Sequence, residues 1–107
     1  MAIEKTYLHT GIPVSAKMPE MGYMESLKVW IANNAEYGIE YLYWEKDTPA
    51  AYRMVTEAHV AYKVADVAAA VKESGGAVLL APMSIGPTAK IAFVGIKDGP
   101  VVEFYQD

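Results

Sequence analysis

In "HVAYKVADVAAAVKESGG" (His59–Gly76) a strand pattern turns into a helix pattern within one short segment. Over "HVAYKV" (His59–Val64), Val60, Tyr62 and Val64 fall on one face and His59, Ala61 and Lys63 on the other, the two-residue period of a strand. Asp66 then stands where a helix wants an N-cap, because its carboxylate can accept from the free N–H groups of the first turn. "VAAAVKES" follows with Val67, Ala70 and Val71 in a narrow apolar stripe, and Gly75–Gly76 stops it. Downstream, "AVLLAP" (Ala77–Pro82), "KIAFVGI" (Lys90–Ile96) and "VVEFYQ" (Val101–Gln106) read as strands, the last two joined by a "KDGP" turn. The order is βαβββ.

The first half rhymes with this unit. "YLHTGIPV" (Tyr7–Val14), "LKVWIAN" (Leu27–Asn33) and "IEYLYWE" (Ile39–Glu45) read as strands, and "KDTPAAYRMVTE" links the halves. "SAKMPEMGYMES" (15–26) has no helical period, and Pro19 and Gly22 argue against a long helix. Setting Glu40 over Glu103 brings Tyr41 over Phe104; setting His9 over His59 brings Val14 over Val64. Each half starts with a His-bearing strand and ends with a Glu-bearing one. His9 and Glu40 are 31 residues apart, His59 and Glu103 are 44, so the first module has lost its helix or one strand. No sharp linker separates the halves into two domains. One domain over 1–107 is expected, with module one at about 5–47 and module two at about 57–107.

Composition narrows the functions. The chain has 107 residues, 53% of them hydrophobic, enough for one modest core. Its net charge is -4, and Arg53 is the single arginine, so no basic stripe offers itself to nucleic acid. No apolar run is long enough to cross a membrane. There is no Cys, which excludes disulfides and thiolate metal sites. A cytoplasmic protein with a small-molecule ligand or substrate is expected, forming a homodimer that covers the sheet edges. Of the many aromatic side chains, Tyr7, Trp30, Tyr43, Trp44 and Phe93 are candidates for shaping a pocket.

Strand parity predicts that His9 shares a face with Tyr7 and Gly11, and that Glu40 shares one with Leu42 and Trp44. If a helix covers the Val60/Tyr62 face, both His point to the concave side of a curled sheet. Two modules related by a pseudo-two-fold axis then bring His9, Glu40, His59 and Glu103 into one cleft. Two imidazoles and two carboxylates suit a divalent Zn, Ni, Co, Mn or Fe ion. Such an ion polarises a carbonyl, and an adjacent carboxylate can move the proton that this loosens. Glu45 and Glu57 are competing acidic neighbours.

The segment His59–Asp107 resembles the C-terminal module of the glyoxalase/bleomycin-resistance/extradiol-dioxygenase superfamily, also called vicinal oxygen chelate. The similar pattern is a His-bearing strand, an Asp-started helix ending in Gly, a strand ending in "PM", then "IAF", a "DG" turn and a terminal "VEF". The resemblance implies an α+β fold of paired βαβββ modules forming an incomplete barrel around a cleft, here with a shortened first module. It implies metal ligands at His9, Glu40, His59 and Glu103, and a metal-dependent lyase or isomerase in which Glu103, or secondly Glu40, moves a substrate proton. No glutathione-binding set is recognisable. The alternative within the same superfamily is a non-catalytic protein that binds an aromatic or antibiotic-like small molecule.

Overall fold

The computed structural model describes residues 3–107. Its strands are β1 (Thr6–Pro13), β2 (Gly22–Met24), β3 (Val29–Asn34), β4 (Ile39–Trp44), β5 (His59–Lys63), β6 (Ala77–Ser84), β7 (Lys90–Gly95) and β8 (Val101–Gln106); its helices are α1 (Tyr52–Thr56) and α2 (Val67–Ser74). All eight strands form one strongly curled sheet in the order β2-β3-β4-β1-β5-β8-β7-β6. The first half of that order repeats in mirror sequence in the second, as paired modules require. The shortened first module therefore kept four strands and lost the helix. Residues 14–21, where the helix would lie, pass Pro19 without regular structure. The three residues of β2 are too short a run to show a strand period.

The modules meet where β1 runs antiparallel to β5. His9 faces Ala61 and His59 faces Gly11, on either side of a Thr10–Val60 pair. Inside each module the parallel register is the same: Gly11 lies beside Glu40 in the first and Ala61 beside Glu103 in the second. The sequence alignment of the halves is thus a structural one.

Two apolar clusters flank the sheet. On the convex side, Val67 and Ala70 of α2 cover Ala92, Val94 and Phe104. Asp66 caps α2 by accepting from the Ala69 N–H, and Gly75 ends it with a φ of 67°. On the concave side, curling brings Leu27, Val29 and Leu42 of the first module onto Ile91, Phe93 and Val101 of the second. Met54 of α1 joins this cluster. The linker thus contains a helix that sequence reading missed, because five residues with no side-chain cap carry no boundary signal. Arg53 pins α1 to the β7–β8 turn, donating to the carbonyls of Ile96 (3.2 Å) and Gly99 (2.8 Å).

Three local departures have clear causes. A register shift between Tyr7 and His9 places Tyr7 opposite Tyr62, so Tyr7 does not share the face of His9. Its ring instead meets Tyr62 edge-on at 6.4 Å, and its hydroxyl donates to the Gly38 carbonyl at 3.1 Å. The strand expected at Leu27 begins at Val29, because Lys28 turns the chain with a φ of 50°. β6 continues past Pro82 to Ser84 with an irregular register, which a proline tolerates on an edge strand.

Candidate metal centre

Four strands, β1, β4, β5 and β8, each deliver one donor to the concave face. One ligand atom from each of His9, Glu40, His59 and Glu103 lies within 4.8 Å of all the others. His59 Nε2 stands 3.0 Å from Glu103 Oε1, and His9 Nε2 stands 3.4 Å from both Glu103 Oε1 and Glu40 Oε1. These approaches are close but not aligned as hydrogen bonds. His9 Nε2, His59 Nε2 and Glu103 Oε1 are buried and have no hydrogen-bond partner among the described residues. Each such atom costs about 1–3 kcal/mol if nothing satisfies it. Three such atoms aimed at one point, with a second carboxylate beside them, fit a divalent metal.

Packing fixes the imidazoles. The His59 ring lies on the backbone of Gly11; a Cβ built there would stand 2.1 Å from His59 Cε1. Phe93 holds the same ring edge-on, with centroids 5.0 Å apart. The two imidazoles meet edge-on at 5.6 Å. Gly11 was legible as more than a face-mate of His9, since glycine inside a strand marks close approach of another group.

The electrostatics separate the two carboxylates. Burial pushes Glu40 above the usual carboxylate range, and the charge of Glu103 adds to this against the pull of His9 and His59. Burial acts on Glu103 in the same sense, but His59 and His9 beside it outweigh burial and hold it below that range. Burial would lower His9; the adjacent Glu103 and the negative charge of Glu40 and Glu103 raise it instead.

The surrounding residues sort by face. Phe93 and Trp44 line a cavity of about 30 Å³ with Glu40, Glu103 and apolar neighbours, room for about one water. The Trp44 indole Nε1 is also buried without a partner. Tyr7, Trp30 and Tyr43 are on the opposite face and do not shape the cleft. Trp30 instead donates to Glu45 at 3.2 Å, and Glu57 pairs with Arg53 at 2.8 Å, so neither of these carboxylates competes for the site.

Paired four-stranded modules, curled around clustered His and Glu, form the incomplete barrel that the sequence leads one to expect. The chain matches no protein-family model and no curated protein. Among solved structures it is similar to a hypothetical protein, BH1468, from Bacillus halodurans C-125: TM-score 0.68 and 24% identity over 96% of this chain and 94% of that one. That likeness establishes the fold. No helix among the described residues is long and apolar enough to cross a membrane.

Proposed function

We propose that the chain is a divalent-metal-dependent lyase or isomerase acting on a small hydroxy-carbonyl or thioester substrate, with His9, Glu40, His59 and Glu103 as the metal ligands. The observation that carries this reading is the convergence of four donors, three of whose atoms are buried without a partner. When bound, Zn, Ni, Co, Mn or Fe at this donor set supplies polarisation of a carbonyl oxygen, which acidifies the neighbouring C–H. The chain's own groups do the rest. His59, clamped between Gly11 and Phe93, is the rigid anchor. Glu103 lies against both imidazoles, which keep it charged.

The resemblance favours Glu103 as the proton carrier, yet the environments favour Glu40. Of the two imidazoles Glu40 pairs with His9 alone, and burial biases it toward its neutral form. That suits a group which takes a proton from carbon and returns it to the adjoining atom, leaving no net proton behind. The alternative, a non-catalytic binder of aromatic or antibiotic-like molecules, has less support. Tyr7, Trp30 and Tyr43 face away from the cleft, and apolar side chains from both modules fill much of its interior.

The test is elemental analysis and metal titration of wild type and His59→Ala. One equivalent of metal, lost in the variant, is expected. With the metal loaded, Glu40→Gln should lower turnover by about 100-fold or more. A wild-type protein that takes up none of the five ions on reloading would overturn the proposal.

A further inference from the structure

The pseudo-two-fold axis relates the donors well and the ground around them poorly. In the second module Glu103 faces Phe93 across the β7–β8 ladder. In the first, Glu40 faces Asn33 across the β3–β4 ladder. Facing residues of an antiparallel pair share a side of the sheet, so Asn33 occupies beside Glu40 the place that Phe93 occupies beside Glu103. Phe93 is buried and packs on His59. Asn33 is exposed and borders an open cavity of about 240 Å³ lined also by Leu8, His9, Asn34, Ala35, Gly38 and Ile39; of the four donors it touches His9, the more exposed of the two imidazoles. A second difference reinforces the first. α1 covers the β7–β8 turn, with Met54 buried next to Val101 and Arg53 bonded to the turn carbonyls. No helix among the described residues covers the β3–β4 turn. The result is visible on the ligands: the His9 side chain keeps 19% of its surface exposed, that of His59 only 1%.

We infer that substrate reaches the metal centre through the Asn33 end of the cleft, and that Asn33 sets the size and polarity of what passes. This rests on the reading of His9, Glu40, His59 and Glu103 as the reactive site. The Asn33 amide offers two N–H donors and a carbonyl acceptor to a passing oxygen, where a Phe offers none. The cavity is smaller than the roughly 300–1,000 Å³ of pockets that hold drug-sized ligands, so the substrate class is a short polar carbonyl compound without a bulky carrier.

The experiment installs the residue of the closed side. Asn33→Phe, with the smaller Asn33→Leu in case the first fails to fold, is compared with wild type in two ways. In the metal-free protein, diethyl pyrocarbonate is followed by peptide mapping. His9 should be carbethoxylated about 10-fold more slowly in the variants, while His59 stays protected in all. In the cobalt-loaded protein, acetohydroxamate is titrated by the visible spectrum. Its affinity should fall about 10-fold or more in the variants, with cobalt affinity unchanged. Unchanged His9 reactivity in both variants would overturn the inference, and this arm needs no metal. Failure of cobalt to bind at all would strike the proposed function instead, so the two failures are distinguishable.

Discussion

Gly11→Ala tests the site through a single methyl group. Gly11 does not occupy a positive-φ conformation, so its backbone accepts alanine without strain. The whole penalty therefore falls on the His59 ring, whose Cε1 stands 2.1 Å from the added Cβ. Non-bonded carbons settle at roughly 3.5–4.0 Å, so the ring must retreat by about 1.4 Å or more. It has little room, since it is fully buried and Phe93 stands against it. Metal–ligand distances tolerate only about 0.2 Å of error. We expect the metal-free fold to lose about 1–3 kcal/mol from overpacking. Metal Kd should rise by about 100-fold, or about 2.8 kcal/mol. The assay is competition with a chromogenic chelator, paired with thermal melts. Gly22→Ala is the matched control: nothing lies within 4 Å of its Cβ position, and its φ is not positive, so stability and metal affinity should hold. If Gly11→Ala binds metal like wild type and melts at the same temperature, the His59 ring does not lie where this reasoning needs it.

The metal-free protein should be most stable between about pH 4.5 and 6.5. His9 is raised above 6.5, so its contribution is full below that value and fades as pH climbs through its folded pKa; Glu103 is lowered below 4.5, so its contribution is lost as pH falls through its folded pKa. Glu40, raised by burial, contributes below 4.5 and loses this as pH rises, which draws the optimum toward the acid side; a melting temperature flat from about pH 4 to 8 would contradict this balance. Saturating Zn at about 100 times its Kd should stabilise wild type by about 2.7 kcal/mol, and should leave the melting temperature of His59→Ala unmoved in the same calorimetric scan. Asp66→Ala removes the bond from the Ala69 N–H and should cost about 1 kcal/mol in urea unfolding, with no effect on metal affinity; an equal loss in both would mean that α2 and the site are coupled.

The second module was legible because each of its elements carries its own signal. Val60, Tyr62 and Val64 alternate, Asp66 caps, Gly75 stops, and the structure keeps all of these. The first module was legible mainly by analogy with the second. A three-residue β2 and a five-residue α1 are shorter than the periods that announce them, and both are held by tertiary contacts: β2 by pairing with β3, α1 by Arg53 and Met54. The bulge at Leu8 was equally silent, since it depends on how β1 meets β5 and not on β1 alone. It removed Tyr7 from the cleft but left His9 in it, so the cluster of His9, Glu40, His59 and Glu103 was found by parity even where one neighbour was not.

The donors were readable for a deeper reason. A duplicated module repeats a residue at matching places only where matching places do the same work, and a chelating set needs four donors at one point. What surrounds the donors has no such constraint. Gly11 and Ala61 stand beside the two Glu in equivalent registers, yet the His59 ring takes the place of a Cβ at Gly11, while Ala61, opposite His9, carries one. Asn33 and Phe93 are equivalent too, and one is open while the other is sealed. A symmetric cleft would offer a substrate two indistinguishable approaches and two indistinguishable carboxylates. Breaking the symmetry at the second row of residues, while preserving it at the donors, gives a substrate with unlike ends one way to arrive, and gives Glu40 and Glu103 unlike protonation behaviour. Internal repetition thus reveals the clustered His and Glu from sequence, whereas the features that we propose select a substrate lie in the places where the repeat disagrees with itself.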